Sequence, residues 1–154
     1  MAERLINNMK FSFDGRSVNE GFARSTVALF AAQADPSIGV ISDIKTVVSE
    51  AVTNAIVHGY AGRENRAECP IYISCKLTES GKIIIKIKDK GKGISDIKTA
   101  MQPLFTTDEG GERSGMGFTV MESFTDKIKV LSKPNKGTTV VMYKTINPPS
   151  LSDL

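Results

Sequence analysis

Three small groups of residues have the types and spacing to do chemistry. The first closes an apolar run. Ile83, Ile85, Ile87 and Asp89 alternate with Ile84, Lys86 and Lys88. In a strand, alternate side chains share a face, so Asp89 extends the inward row of isoleucines. Gly91 and Gly93 follow it in the pattern D-x-G-x-G. An inward carboxylate at a strand end can accept a hydrogen bond from the amino group of a base, and the glycines let backbone come close to a ligand. The same letters also spell an ordinary strand-ending Asp-Gly turn. The second group is Glu50, Asn54 and His58, four residues apart. At helical spacing they form one stripe beside the apolar arc of Val47, Ala51 and Ala55. Burying a carboxylate and an amide without partners is costly. Such a stripe is either a solvated helix edge or a working pair: a Glu that removes a proton and an Asn whose oxygen helps hold magnesium, which needs few protein ligands. His58 reads as a histidine favoured by the dipole at a helix C-terminus rather than a catalytic group. The third group is Arg113-Ser114-Gly115-Met116-Gly117-Phe118. A helix opening there presents free N–H groups to a phosphate, and Arg113 adds a charged donor.

The elements that must position these groups follow from periodicity and punctuation. Met9, Phe11 and Phe13 alternate with polar residues and predict a first strand. Ser17 and Glu20 fit a capping box opening a helix whose apolar face is Val18, Phe22, Leu29 and Phe30, ended by Asp35-Pro36. A second helix is expected from about 36 to 58, with Ile41, Ile44, Val48, Val52, Ala55 and Ile56 inward and Gly59 closing it. Residues 71–77 and 82–88 predict a hairpin turning at Glu79-Ser80-Gly81. The Gly-, Asp- and Thr-rich stretch 89–113 is long enough to suggest a functional lid. A third helix at about 115–124 and a hairpin of 127–132 with 138–144 complete the order. Strand, two helices, hairpin, lid, helix and hairpin favour an α/β two-layer sandwich, with a mixed, largely antiparallel sheet and helices on one face. Residues 1–145 then form one domain, and 146–154, with two prolines, read as a disordered tail.

Bulk composition narrows the classes. The chain has 154 residues, 40% hydrophobic and 24% charged, enough for one core without metal or disulfide staples. A net charge of +3 falls short of a nucleic-acid footprint, since no face is expected to be Lys/Arg-rich without acids beside it. No apolar run is long enough for a membrane span, and the start lacks the apolar core of a signal peptide. Cys69 and Cys75 are the only cysteines, so two reduced thiols and a cytoplasmic location are expected. The G-K-[ST] signature of a P-loop is absent, and so is the lysine, H-R-D and D-F-G set of protein kinases.

The order of the motifs is more specific than any one of them. V-V-S-E-A-V-T-N-A-I-V-H-G-Y resembles the N-box of the gyrase/Hsp90/histidine-kinase ATPase superfamily. D-K-G-K-G-I and R-S-G-M-G-F resemble its two glycine boxes, and G-T-T-V its closing threonine strand. With N-E-G-F-A-R, Q-P-L-F-T-T and G-F-T-V-M-E-S-F, the resemblance sharpens to the anti-sigma F family of sporulation regulators, from about Phe11 to Val141. It implies a nucleotide, ATP or ADP, held between helices and lid, with Glu50 as general base, Asn54 as Mg2+ ligand and Asp89 on the adenine amino group. It implies that Gly91, Gly93, Gly115 and Gly117 shape the pocket, that Thr107 and Arg113 approach the phosphates, and that Thr138 supports the adenine end. Arg24 of N-E-G-F-A-R would belong to the partner surface. The implied protein is a homodimer that holds sigma F away from RNA polymerase and phosphorylates a serine of an anti-anti-sigma antagonist, with no direct nucleic-acid or membrane contact. Anti-sigma B regulators share the boxes. The other readings are an ATPase clamp, a histidine-kinase catalytic domain and a binding module without catalysis. The first lacks room for further domains, the second lacks an acceptor histidine outside the N-box, and the third leaves Glu50 without a purpose.

Overall fold

The structure is a computed structural model that describes residues 3–95 and 117–146. Five strands, β1 (Leu5–Asp14), β2 (Pro70–Thr78), β3 (Lys82–Asp89), β4 (Lys127–Lys133) and β5 (Gly137–Thr145), form one sheet in the order β1-β2-β3-β5-β4. Every pairing among the described residues is antiparallel. Helices α1 (Asn19–Ala31), α2 (Ile38–Asn54) and α3 (Gly117–Ser123) carry the second layer. The core lies between the layers. Ile71, Ile73, Cys75 and Leu77 of β2 and Ile83, Ile85 and Ile87 of β3 face Ile44, Val47, Val48, Ala51 and Val52 of α2, all buried. The alternation read from the sequence therefore marks the true inward row, with Asp89 at its end.

Helix α2 begins at Ser37, whose hydroxyl accepts from the Val40 N–H at 3.2 Å. Its far end is not α-helical. Residues Ala55–Gly59 widen into a π turn, in which the Tyr60 N–H reaches back to the Ala55 carbonyl at 2.9 Å.

Helix α1 departs further from expectation. It starts two residues beyond Ser17, and no side chain caps it. Glu20 instead accepts from the Arg24 guanidinium and from the Ser49 hydroxyl on α2, a tie between helices rather than a capping box. Its buried stripe is Ala23, Val27, Phe30 and Ala31, while Val18, Phe22 and Leu29 are exposed. The chain offers two apolar stripes at helical spacing. The one with alanines faces inward, because small side chains let α1 lie close to α2 and the sheet. Phe22 keeps an edge-to-face contact with Phe11 at 6.0 Å. Ile146, assigned to the tail, is buried just past the end of β5 and donates its N–H to the Gly81 carbonyl at 2.7 Å.

The other face of the sheet is open. Lys10, Lys76, Lys86, Lys88, Lys127 and Lys129 stand exposed on it, and the one carboxylate at its described strand positions, Asp14, pairs with Arg16 at 3.5 Å. Lys127 and Lys129 flank the Tyr143 ring, each at 5.8 Å. The expectation that no face is lysine-rich without acids is thus corrected. Strand pairing gathers lysines from four distant segments, and a linear reading cannot sum them.

Candidate nucleotide and phosphotransfer site

Asp89 ends β3 with its carboxylate buried, 5% exposed, between the sheet and the π turn. Its Oδ1 accepts from the Gly91 N–H at 2.8 Å, and the Thr138 N–H donates to it as well. Burial pushes the carboxyl above the ordinary aspartate range, and these two bonds and the charge of Arg63 offset part of that. Gly59 lies against it. A Cβ at Gly59 would stand 3.0–3.1 Å from the carboxylate atoms, so only glycine leaves that side of Asp89 uncovered.

The loop after Asp89 is held by close backbone approach. A Cβ on Gly91 would lie 2.0 Å from the Gly59 carbonyl oxygen, and the Lys92 N–H donates to that oxygen at 2.8 Å. Gly93 has φ +72, and a Cβ there would sit 2.1 Å from the Lys133 carbonyl. On the sheet side, the Ile94 N–H donates to the Ser132 hydroxyl at 2.7 Å, and Ser132 lies 2.9 Å from the Thr138 hydroxyl. Thr138 thus stands beside Asp89, joined to the glycine loop through Ser132.

Further back along α2 are Glu50 and Asn54, both half-buried. Glu50 and Asn54 lie on the α-helical part of α2, before the π turn that packs on Asp89. Gly117, the first residue of α3, abuts both. A Cβ there would meet Asn54 Nδ2 at 2.9 Å and Glu50 Oε2 at 3.3 Å. The second glycine box therefore meets the N-box directly. An amide oxygen at such a point suits a magnesium ion that keeps most of its waters. A carboxylate within one helical turn suits a general base.

Among the described residues, Gly117 meets Glu50 and Asn54, while Asp89, Gly91, Gly93 and Thr138 form a second group at the end of β3. Thr107, Arg113 and Gly115 lie outside the described residues, as does most of the expected lid. Arg24 is on α1, bound to Glu20, which is joined in turn to the residue before Glu50. Sequence reasoning passed over Gly59, Gly137 and Tyr60 as site residues. Gly137 has φ +103, and a Cβ there would be 2.1 Å from the Asp89 carbonyl, which explains the Asn135-Lys136-Gly137 turn visible in the sequence.

A two-layer sandwich with a buried acid at one helix end and a Glu–Asn pair further back is the arrangement expected of a histidine kinase-like ATPase domain. Residues 11–144 match the histidine kinase-like ATPase domain. The chain is similar in fold to the RsbU and RsbW domains of Rv1364c from Mycobacterium tuberculosis, with a TM-score of 0.67 at 16% identity, covering 94% of this chain and 34% of that one. It is also similar to the SiaB-SiaC complex of Pseudomonas aeruginosa, with a TM-score of 0.59 at 10% identity, covering 92% and 91%. Anti-sigma F factor of Halalkalibacterium halodurans is 51% identical over 140 residues, 91% of this chain and 93% of the relative. That of Geobacillus sp. is 54% identical over 142 residues, 92% and 94%. The chain belongs to the anti-sigma F factors, within the histidine kinase-like ATPases.

Proposed function

We propose that this anti-sigma factor is a cytoplasmic, Mg2+-dependent protein serine kinase, acting as a homodimer. It holds a sporulation sigma factor and phosphorylates a serine on the anti-anti-sigma protein that opposes it. The observation that carries the kinase reading is the convergence of Gly117 on both Glu50 and Asn54. A binding site alone has no use for a carboxylate at that point.

In this reading Asp89 accepts the adenine amino group in the space left by Gly59. Asn54 lends its oxygen to the magnesium, which when bound neutralises phosphate charge. The antagonist's serine enters beside Glu50, which takes the hydroxyl proton as the serine oxygen bonds to the terminal phosphorus. The bond from that phosphorus to the bridging oxygen breaks, and ADP leaves. The protein's share is positioning and charge, which dominate phosphoryl transfer. Sequestration of the sigma factor uses the surface around Arg24 and does not need the base.

The test is Glu50→Ala in single-turnover phosphorylation of the antagonist, beside a nucleotide-binding control. The rate is expected to fall by ~10²–10⁴-fold while ATP and sigma-factor binding persist. Near wild-type transfer by a variant that binds ATP removes Glu50 from the role of base.

A further inference from the structure

Tyr60 follows the π turn and is completely buried, 0% exposed. Its hydroxyl is used twice. It donates to the Pro70 carbonyl at 2.5 Å and accepts from the Lys90 N–H at 2.7 Å. Lys90 is the residue after Asp89, so the bonded amide belongs to the peptide that carries the Asp89 carbonyl. Two residues on, the Lys92 N–H donates to the carbonyl of Gly59, Tyr60's neighbour. The Gly59-Tyr60 pair therefore grips the loop at both ends of the segment whose middle N–H, from Gly91, orients the Asp89 carboxylate. The grip is itself anchored. Arg66 donates to the Tyr60 carbonyl at 3.2 Å and to the Ile56 carbonyl at 3.5 Å, closing the π turn from behind. The Arg63 guanidinium lies 5.4 Å from the ring centre. The polar stretch 61–69 therefore braces Tyr60 from outside.

We infer that Tyr60 is the positioning residue for base selectivity. Its hydroxyl fixes the Asp89–Lys90 peptide and so aims the Asp89 carboxylate at the amino group of the base. The hydroxyl of a buried tyrosine can both donate and accept, and this one uses both capacities. It adds a side-chain tie across the paired ends of β2 and β3, where Ile71 stands opposite Asp89, on the side where the carboxylate faces the gap left by Gly59. The inference rests on the adenine reading of Asp89.

Tyr60→Phe keeps the ring and its packing and removes only the oxygen. Calorimetric titrations with ATP, with purine riboside triphosphate, which lacks the 6-amino group, and with inorganic triphosphate separate the possible roles. Wild type is expected to prefer ATP over the analogue, and Asp89→Asn to lose that preference. Tyr60→Phe should bind ATP about tenfold more weakly, with its preference shrinking towards none, because a buried N–H loses its partner beside the carboxylate. Its affinity for inorganic triphosphate should match wild type, which also shows that the variant is folded. A Tyr60→Phe protein that keeps the full preference overturns the inference, as does one that loses ATP and triphosphate affinity in equal measure. If Asp89→Asn keeps the preference, the adenine reading itself fails, and the positioning role falls with it.

Discussion

At the scale of single residues, Asp89 shows how a buried acid can burden the fold that carries it. Burial raises its carboxyl above the ordinary range. An acid with a raised folded value holds its proton longer folded than unfolded. Its contribution to stability is therefore full below the unfolded value, about 4, and is lost as pH climbs through the folded value. Asp89→Asn removes that loss. In melting curves of nucleotide-free protein taken upward from about pH 4, the variant should gain on wild type as pH rises. Its ATP affinity should fall roughly 10- to 150-fold, because an amide turns donors towards the base amino group. A variant that binds ATP normally takes Asp89 out of the base contact. Cys75 is a simpler case. Burial lifts its thiol to about 12, and thiol reagents should reach it only as the protein unfolds.

At the scale of elements, the glycines divide by what they touch. Gly117 faces the ends of two flexible side chains, whereas Gly91 faces the backbone of Gly59. Gly117→Ala should melt close to wild type, yet displace Asn54 and Glu50 and cut phosphotransfer at least tenfold. Gly91→Ala forces two backbones apart and should cost about 1–3 kcal/mol or more in denaturant melts. Equal melting of the two variants would contradict the close approach at Gly91. Arg24 tests another element. Arg24→Glu places like charges one turn apart on α1, a cost of only about 0.2–0.5 kcal/mol. Pull-downs with sigma factor and antagonist should both weaken while ATP binding persists, and normal pull-downs would return Arg24 to the ordinary surface. The elements were also unequally legible. Strict alternation gave β2, β3 and the place of Asp89, since one face of each is dry. The inward face of α1 was not readable, because two apolar stripes compete and packing distance decides between them. The π turn leaves no periodic signal, and Tyr60 beside it has none either.

At the scale of the whole molecule, a net charge of +3 conceals an uneven distribution. The open sheet face gathers lysines, and surface charge closer than a Debye length, about 10 Å at 0.1 M salt, acts together. Lys86→Glu and Lys45→Glu change the net charge equally. The first lies within the lysine face, the second on α2. On a cation-exchange column at pH 7, Lys86→Glu should elute at clearly lower salt than Lys45→Glu. Coincident elution would mean that the sheet face does not act as a unit. The candidate nucleotide site lies on the helical side of the sheet, and the lysines lie on the other.

The interlocked loops around Asp89 also bear on inheritance. Every single-base change that alters a glycine codon's amino acid installs a side chain with a Cβ. At Gly91, Gly93 and Gly137 that carbon would lie within about 2 Å of a neighbouring carbonyl oxygen. No gradual path of milder residues leads away from these positions, because the smallest alternative already collides with backbone. Drift can proceed freely at an exposed lysine, but here a viable change needs a second one that moves the opposing strand or turn. The turns around Asp89 are therefore poorly able to wander one mutation at a time.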